Sequence, residues 1–279
     1  MTAPQIRPMS VADIPLGMRL KAAAGWNQTE ADWRRFLALG PEGCFVAENE
    51  GGPVGTITTV CFGERVGYIG MVLVDPAQRR QGIGRALLLH GIEHLRGRGI
   101  RTIRLDATDA GRRVYDPLGF VAEYVVERRI RPGSGPAGPT PPEARLRPDP
   151  LTCVLPLDAL ACGVDRSALL QALLADQAAG AGDGADGYVI AREGSSARFI
   201  GPCVARSAES AEALLSTLLG ALGPGPVMMD VPVPNARATA WAAEHGFSVQ
   251  RAFTRMYLGE PPPREHLRMI FAASGPEKG

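Results

Sequence analysis

VLVDPAQRRQGIGRALL, residues 72–88, runs out of an apolar strand into a turn at Asp75-Pro76 and then opens a helix at Gly82-Ile83-Gly84. Glycines 82 and 84 let backbone come close to a ligand, while first-turn N–H groups and the helix dipole offer a site for an anion. Arg79, Arg80 and Arg85 add counter-charge. From residue 79 to 113 nine arginines stand against Glu93, Asp106 and Asp109, a local excess of +6 in a chain whose net charge is +1. A diphosphate is the expected anion. The known nucleotide loops do not fit: there is no G-x-x-x-x-G-K-[ST], and Ala86-Leu87 stand where G-x-G-x-x-G needs its last glycine.

Working outward, SVADIPLGMRLKAA and TEADWRRFLAL read as helices, the second capped at Thr29 and stopped by Gly40-Pro41. CFVAE, PVGTITTVCF and GYIGMVLV read as an antiparallel meander, followed by helix 83–97, strand 100–107, a short helix near 110–118 and strand 120–129. Residues 131–150 hold seven prolines and three glycines, a density that forbids regular structure and marks a linker. Beyond it the order repeats: strands GYVIARE and ARFIGPCVA, helix SAESAEALLSTLLGAL, strand PVMMDVPV, helix NARATAWAAEH and strand FSVQRAFTRMYL. YDPLGFVAEYVVERRI (115–130) aligns with AAEHGFSVQRAFTRMY (242–257), Gly119-Phe120 falling on Gly246-Phe247. Two copies of one α+β fold are expected.

Strand, R-x-x-G-x-G, helix, strand and then Tyr-x-x-x-Gly-Phe, in that order over residues 66–122, resemble the GNAT superfamily of acyl-CoA-dependent N-acyltransferases. The wider layout, with AGWNQTEADWRRF near the start, DRSALLQALL after the linker and FAASGPEKG at the end, is similar to the YitH/HolE-type tandem acetyltransferases. The resemblance implies two tandem domains, each a mixed, mostly antiparallel sheet flanked by helices. They are a catalytic copy at 1–130, the linker 131–150, a degenerate copy at 151–260 and a tail at 261–279. It implies acetyl-CoA as acyl donor, with Arg79, Arg80, Gln81, Gly82, Ile83, Gly84 and Arg85 around the diphosphate. Val72, Leu73 and Val74 would pair with the pantetheine arm, which in this family lies like an extra strand in a V-shaped gap beside strand 100–107. Tyr115 matches the tyrosine that protonates the departing thiolate, and a phenol of pKa about 10 suits that task. Thr108, also taken as a cofactor contact, stands where members often carry Asn, and Gly111 where Ala is usual, so contacts in that loop depart from the pattern.

The second copy has lost the R-x-x-G-x-G element, and Ala242 replaces the tyrosine, so it is read as a pseudo-domain that braces the first and walls its acceptor pocket. Trp26, Asn27 and Gln28 lie in the loop where the superfamily commonly binds acceptors. Glu64, Asp106 and Glu123, or a water held by backbone carbonyls, are candidate bases. The expected reaction is acetyl transfer to a primary amine of a small molecule or amino acid, by direct attack in a ternary complex, since no Cys or Ser has a recognisable activating partner. A protein lysine or N-terminus as acceptor, and a non-catalytic acyl-CoA sensor or scaffold, are the alternatives.

Among the 279 residues, 45% are apolar, enough for packed cores, and the near-zero net charge argues against a bulk-charge grip on nucleic acid or an anionic membrane. No run approaches about 18 apolar residues, and MTAPQIRPMS has no signal-peptide pattern, so a soluble cytoplasmic protein is expected. Five cysteines show no C-x-x-C spacing. His90-Gly91-Ile92-Glu93-His94 spells the inverted zinc-peptidase motif, but a helical wheel turns both histidines away from the Leu88, Ile92, Leu95 stripe and no third ligand follows, so no metal is expected.

Overall fold

The computed structural model describes residues 4–135, 151–175, 179–182 and 186–279, so residues 136–150 of the expected linker lie outside the described residues. The first copy comprises β1 (Gln5–Pro8), α1 (Ile14–Ala23), α2 (Glu30–Leu39), β2 (Cys44–Asn49), β3 (Gly52–Phe62), β4 (Val66–Val74), α3 (Ile83–Gly97), β5 (Thr102–Ala107), α4 (Asp109–Tyr115) and β6 (Val121–Arg131). The second comprises α5 (Leu151–Cys162), α6 (Ser167–Ala175), β7 (Ala179–Gly182), β8 (Gly187–Arg192), β9 (Arg198–Ala205), α7 (Ala208–Ala221), β10 (Val227–Pro232), α8 (Ala236–Glu244) and β11 (Ser248–Gly259). From α1 and α5 onward the two orders are the same. Local chemistry sets the boundaries. Thr29 and Asp32 form a reciprocal capping box at the start of α2. Gly119 and Gly246 both take left-handed φ, at 89° and 81°, at the turns that lead into β6 and β11.

The strands join in one twelve-stranded sheet of the described residues, ordered β1-β2-β3-β4-β5-β11-β6-β10-β9-β8-β7. Only β4–β5 and β9–β10 pair parallel. The two copies exchange their last strands: β11 pairs with β5 of the first copy, and β6 pairs with β10 of the second. The expected cut at residues 131–150 therefore separates the copies in sequence but not in space. The expected tail is also different, because its residues Ile270–Ala272 form β12, paired with β9.

Alternation along the strands sends buried side chains to two faces. On one face, Tyr68, Met71, Leu73, Tyr188, Ile190 and Val204 pack with α1, α2, α5 and α6 in a single shared core. There Gly17 allows the α1–α2 crossing, since a Cβ at that position would lie 2.6 Å from the Trp33 ring. On the other face the core is divided. Ile83, Leu87, Leu88, Ile92 and Leu95, the 3.6-period stripe of α3, cover the first half, and α7 and α8 cover the second. Burying each such side chain contributes about 1.5–3 kcal/mol before the entropy of ordering it is subtracted.

Candidate acyl-donor site

β4 and β5 pair at only three positions, Val66 with Thr102, Gly67 with Ile103 and Tyr68 with Arg104, and then diverge. On its other edge β4 carries a bulge, where the register against β3 jumps from Gly70–Thr58 to Leu73–Thr56. Met71, in that bulge, takes φ 51°, and its carbonyl accepts from the Thr56 hydroxyl at 2.9 Å. The divergence leaves 69–74 and 105–107 as the two walls of a gap that no strand of the described residues fills. Val72 and Val74 are half-buried and Leu73 is buried. The diverging walls form an open slot.

At the end of the slot β4 turns through Asp75, whose carboxylate accepts from Ala77 N, into the fifteen-residue α3. Gly82 is its N-cap, with φ 79°, and no side chain caps the first turn. Ile83 is buried and anchors the turn against the core, whereas Arg79, Arg80, Gln81, Gly82 and Arg85 are exposed. A Cβ at Gly82 would meet nothing within 4 Å, and one at Gly84 would meet only Val74 at 3.6 Å. At Gly84, then, the protein leaves space for a side chain yet carries none, and the vacant volume lies at the positive end of the helix dipole. That is the cradle an anionic oxygen needs. Arg79 bends back so that its Nε donates to the Val74 carbonyl at 3.2 Å, which fixes the loop's entry.

Tyr115 closes α4, its ring 5.8 Å from that of Phe120. Its hydroxyl bonds to none of the described side chains, and burial pushes the phenol up to about 12. Gly111 gains a reason here. A Cβ would lie 2.8 Å from Tyr115 Cε2, so the glycine makes room for the ring. Thr108 serves as the N-cap of α4, accepting from Gly111 N at 3.2 Å. The hydroxyl accepts this bond and keeps its own proton to donate.

The expected acceptor loop is arranged differently. Asn27 is buried, its Nδ2 donating to Ala197 O at 2.8 Å while its Oδ1 accepts from Ser196 N at 2.9 Å and Ala197 N at 3.1 Å. Its amide is committed to joining the copies, which corrects the expectation that it recognises an acceptor. Trp26 packs half-buried on the shared core. Gln28 donates to Glu277 Oε2 at 3.1 Å, and its buried Oε1 has no partner among the described residues.

Two of the three candidate carboxylate bases are held in ion pairs. Asp106 is bidentate with Arg255, both contacts at 2.9 Å, and Glu123 is bidentate with Arg104. Glu64 is exposed at the far end of β4, in a groove of about 690 Å³ with Cys61, Arg65, Arg98 and Arg101. Sequence reasoning missed Arg255 and Glu265, which the second copy inserts beside β5 and which reach Arg104, Asp106 and Tyr124. Nothing in the sequence around β5 signalled either residue. His90 and His94 pack edge-on against Phe45, with ring centroids at 4.4 and 5.2 Å. Among the described residues no three His, Cys, Asp or Glu side chains form a metal-binding group, and no helix is long and apolar enough to cross a membrane.

Comparison with known proteins agrees with this fold. Residues 18–120 match the model of the acetyltransferase (GNAT) family, and residues 154–272 match that of an acetyltransferase (GNAT) domain. Holothin acyltransferase of a Pseudoalteromonas species is 23% identical over 274 residues, covering 96% of this chain and 92% of that one. Mycothiol acetyltransferase of Thermobispora bispora is 39% identical over 154 residues, covering 43% of this chain and 52% of that protein. In structure, an acetyltransferase of Pyrococcus horikoshii superposes with a TM-score of 0.84 at 23% identity, over 100% of this chain and 97% of that one. A tandem GNAT protein from the clavulanic acid biosynthesis pathway gives 0.64 at 18% identity, over 94% and 100%. The chain belongs to the GNAT acetyltransferase family and carries two of its domains in tandem.

Proposed function

We propose that the first copy transfers an acetyl group from acetyl-CoA to a primary amine of a small molecule or amino acid, with both reactants bound at once. One observation carries the donor assignment: β4 and β5 part at Tyr68 and Arg104, and the slot they open leads to an uncapped helix start where Gly84 lacks a side chain that the protein has room for. The names of the relatives, holothin and mycothiol acyltransferases, support a small-molecule acceptor.

In this reading residues 79–85 hold the diphosphate, and the backbone of Val72, Leu73 and Val74 lines the pantetheine arm. Acetyl-CoA supplies the activated thioester. As the C–N bond forms and the C–S bond breaks, Tyr115 gives its phenolic proton to the sulfur. With the phenol raised to about 12, donation is uphill relative to an aqueous thiol, but the same dry surroundings also raise the thiol and narrow the gap. The ion pairs that hold Asp106 and Glu123 leave neither to take the ammonium proton, which passes to water.

Calorimetric titration with acetyl-CoA tests the reading, with Arg79→Ala/Gly82→Trp as control. Micromolar binding lost in the control supports it, and a mass-spectrometric screen of amines and thiols for acetylated product then identifies the acceptor. Absence of binding by folded wild-type protein overturns it.

A further inference from the structure

Tyr68-Ile69-Gly70 of β4 and Phe199-Ile200-Gly201 of β9 occupy the same place in the two repeats, so Val72 and Leu73 correspond to Cys203 and Val204. The second copy also has a slot. β9 pairs with β10 only from Arg198 to Ile200, opposite Val227 to Met229, and then the strands part. Here the gap is filled by the chain itself. In β12, Ile270 pairs with Val204 and Ala272 with Cys203, and on the opposite wall Ala273 N donates to Asp230 O of β10 at 2.8 Å. The segment therefore bonds to both walls, against the counterparts of the residues that line the first slot. Its fit is close: Phe271 and Ala272 are fully buried, Asn235 Nδ2 donates to Ile270 O at 2.9 Å, and a Cβ at Gly201 would lie 2.1 Å from Ala273 O.

Past Ala273 the chain crosses to the first copy. A tight turn with Gly279 N donating to Gly275 O at 2.9 Å lays Glu277 on β4, where a Cβ at Gly70 would fall 2.7 Å from Glu277 Cβ. Glu277 is fixed there by Lys278, Arg192 and Gln28. Gly70 and Gly201, equivalent in the repeat, are thus both positions where the absent side chain admits the same ten-residue segment. In one copy it lies between the walls of the slot. In the other it covers the bulged wall from the shared-core face.

We propose that residues 270–273 are a built-in stand-in for a cofactor arm that closes the second donor slot, and that the same segment couples this slot to the first by seating Glu277 on Gly70. The chain then binds one acyl-CoA, a stoichiometry that rests on the donor reading of the first slot. Glu277 is a positioning residue for the β4 bulge.

Hydrogen exchange and calorimetry on the full chain test this. In wild-type protein the amides of Ala272 and Ala273 should be protected without ligand and stay so at saturating acetyl-CoA, with one equivalent bound. Rapid exchange at these amides in the free protein, exchange that rises on saturation, or two bound equivalents would each overturn the proposal. Zero equivalents with the amides protected would defeat the donor reading alone. Gly201→Val, whose side chain collides with Ala273, should release 270–273, raise exchange at Gly70 to Val72 and weaken acetyl-CoA roughly tenfold, within the usual range for coupled sites. A folded Gly201→Val protein with unchanged affinity would overturn the coupling. Glu277→Gln gives a second reading of it without the steric clash, through the same exchange at the β4 bulge.

Discussion

Val126 lies directly opposite Phe253 in the sheet, and Phe253 is the residue that stands in the second repeat where Val126 stands in the first. The flanking pairs are reciprocal, Val125 with Thr254 and Glu127 with Ala252, so a local two-fold axis passes between β6 and β11. About it the copies exchange strands. A chain of residues 1–135 would present β5 with one edge unpaired and β6 with both neighbours missing. It is expected to associate or aggregate and to show no cooperative unfolding as a monomer. Size-exclusion chromatography with thermal circular dichroism checks this, and a monomeric, cooperatively folded fragment would refute the exchange as a requirement for folding.

Most elements were legible because they depend on neighbours in sequence. Thr29 signals a cap, Gly119 and Gly246 signal turns, and the stripe from Ile83 to Leu95 signals a buried helix face. The donor loop was legible for the same reason: Gly82, Gly84 and Arg79 act within a few residues of one another. What escaped depends on partners more than a hundred positions away. Nothing near Asp106 announces Arg255, nothing near Asn27 announces Ala197, and FAASGPEKG reads as a polar, small-residue end until its partners Cys203, Asp230 and Gly70 are in place. Strand exchange is invisible to pattern reading, because β6 and β11 have similar sequences and the pattern does not say which sheet each joins.

Asp106–Arg255 and Asp230–Arg128 are the two images of one buried bidentate pair, with contacts of 2.8 to 2.9 Å. Removing one member of such a pair leaves a buried charge uncompensated and costs about 3–5 kcal/mol. Asp106→Asn and Asp230→Asn should therefore destabilise alike in urea. A general base would behave differently, with Asp106→Asn lowering turnover and leaving the unfolding midpoint in place.

Gly84→Ala separates the helix from the ligand site. The nearest protein atom to the added methyl group is 3.6 Å away, and alanine in a helix is favoured over glycine by up to about 1 kcal/mol. The variant should match or exceed wild-type stability and yet bind acetyl-CoA at least tenfold more weakly. Unaltered affinity would mean that the space beside Gly84 is not the anion cradle.

Gly111→Ala and Tyr115→Phe should act on the same step. The alanine methyl group would press on the Tyr115 ring from 2.8 Å and turn the phenol, while the phenylalanine removes the hydroxyl altogether. Each is expected to lower kcat by about 10²-fold or more, the scale of acid catalysis, with little change in acetyl-CoA affinity, and the double variant should lose hardly more than Tyr115→Phe. Additive losses would show that Gly111 matters for something other than the phenol.

High pH probes the core from a different side. Burial holds Tyr115 up to about 12 and Tyr68, Tyr124 and Tyr188 well above the ordinary phenol value. For a group whose folded pKa is raised, the folded state retains a proton that the unfolded state releases, so its stabilising contribution is complete below the unfolded value of about 10 and is lost as pH climbs toward the folded value. Buried Cys44, Cys162 and Cys203 are likewise held above the ordinary thiol value, so stability in urea should begin to decline above about pH 8.5 and fall steeply above about pH 10, with tyrosinate absorbance appearing together with unfolding. Tyr188→Phe leaves Asp158 its Arg166 partner and removes one of these protons, so the decline should become shallower in that variant. Gradual tyrosinate formation in still-folded protein, well before the unfolding transition, would show that these phenols are reached by water, and for Tyr68 and Tyr188 that the shared core is looser than its packing indicates.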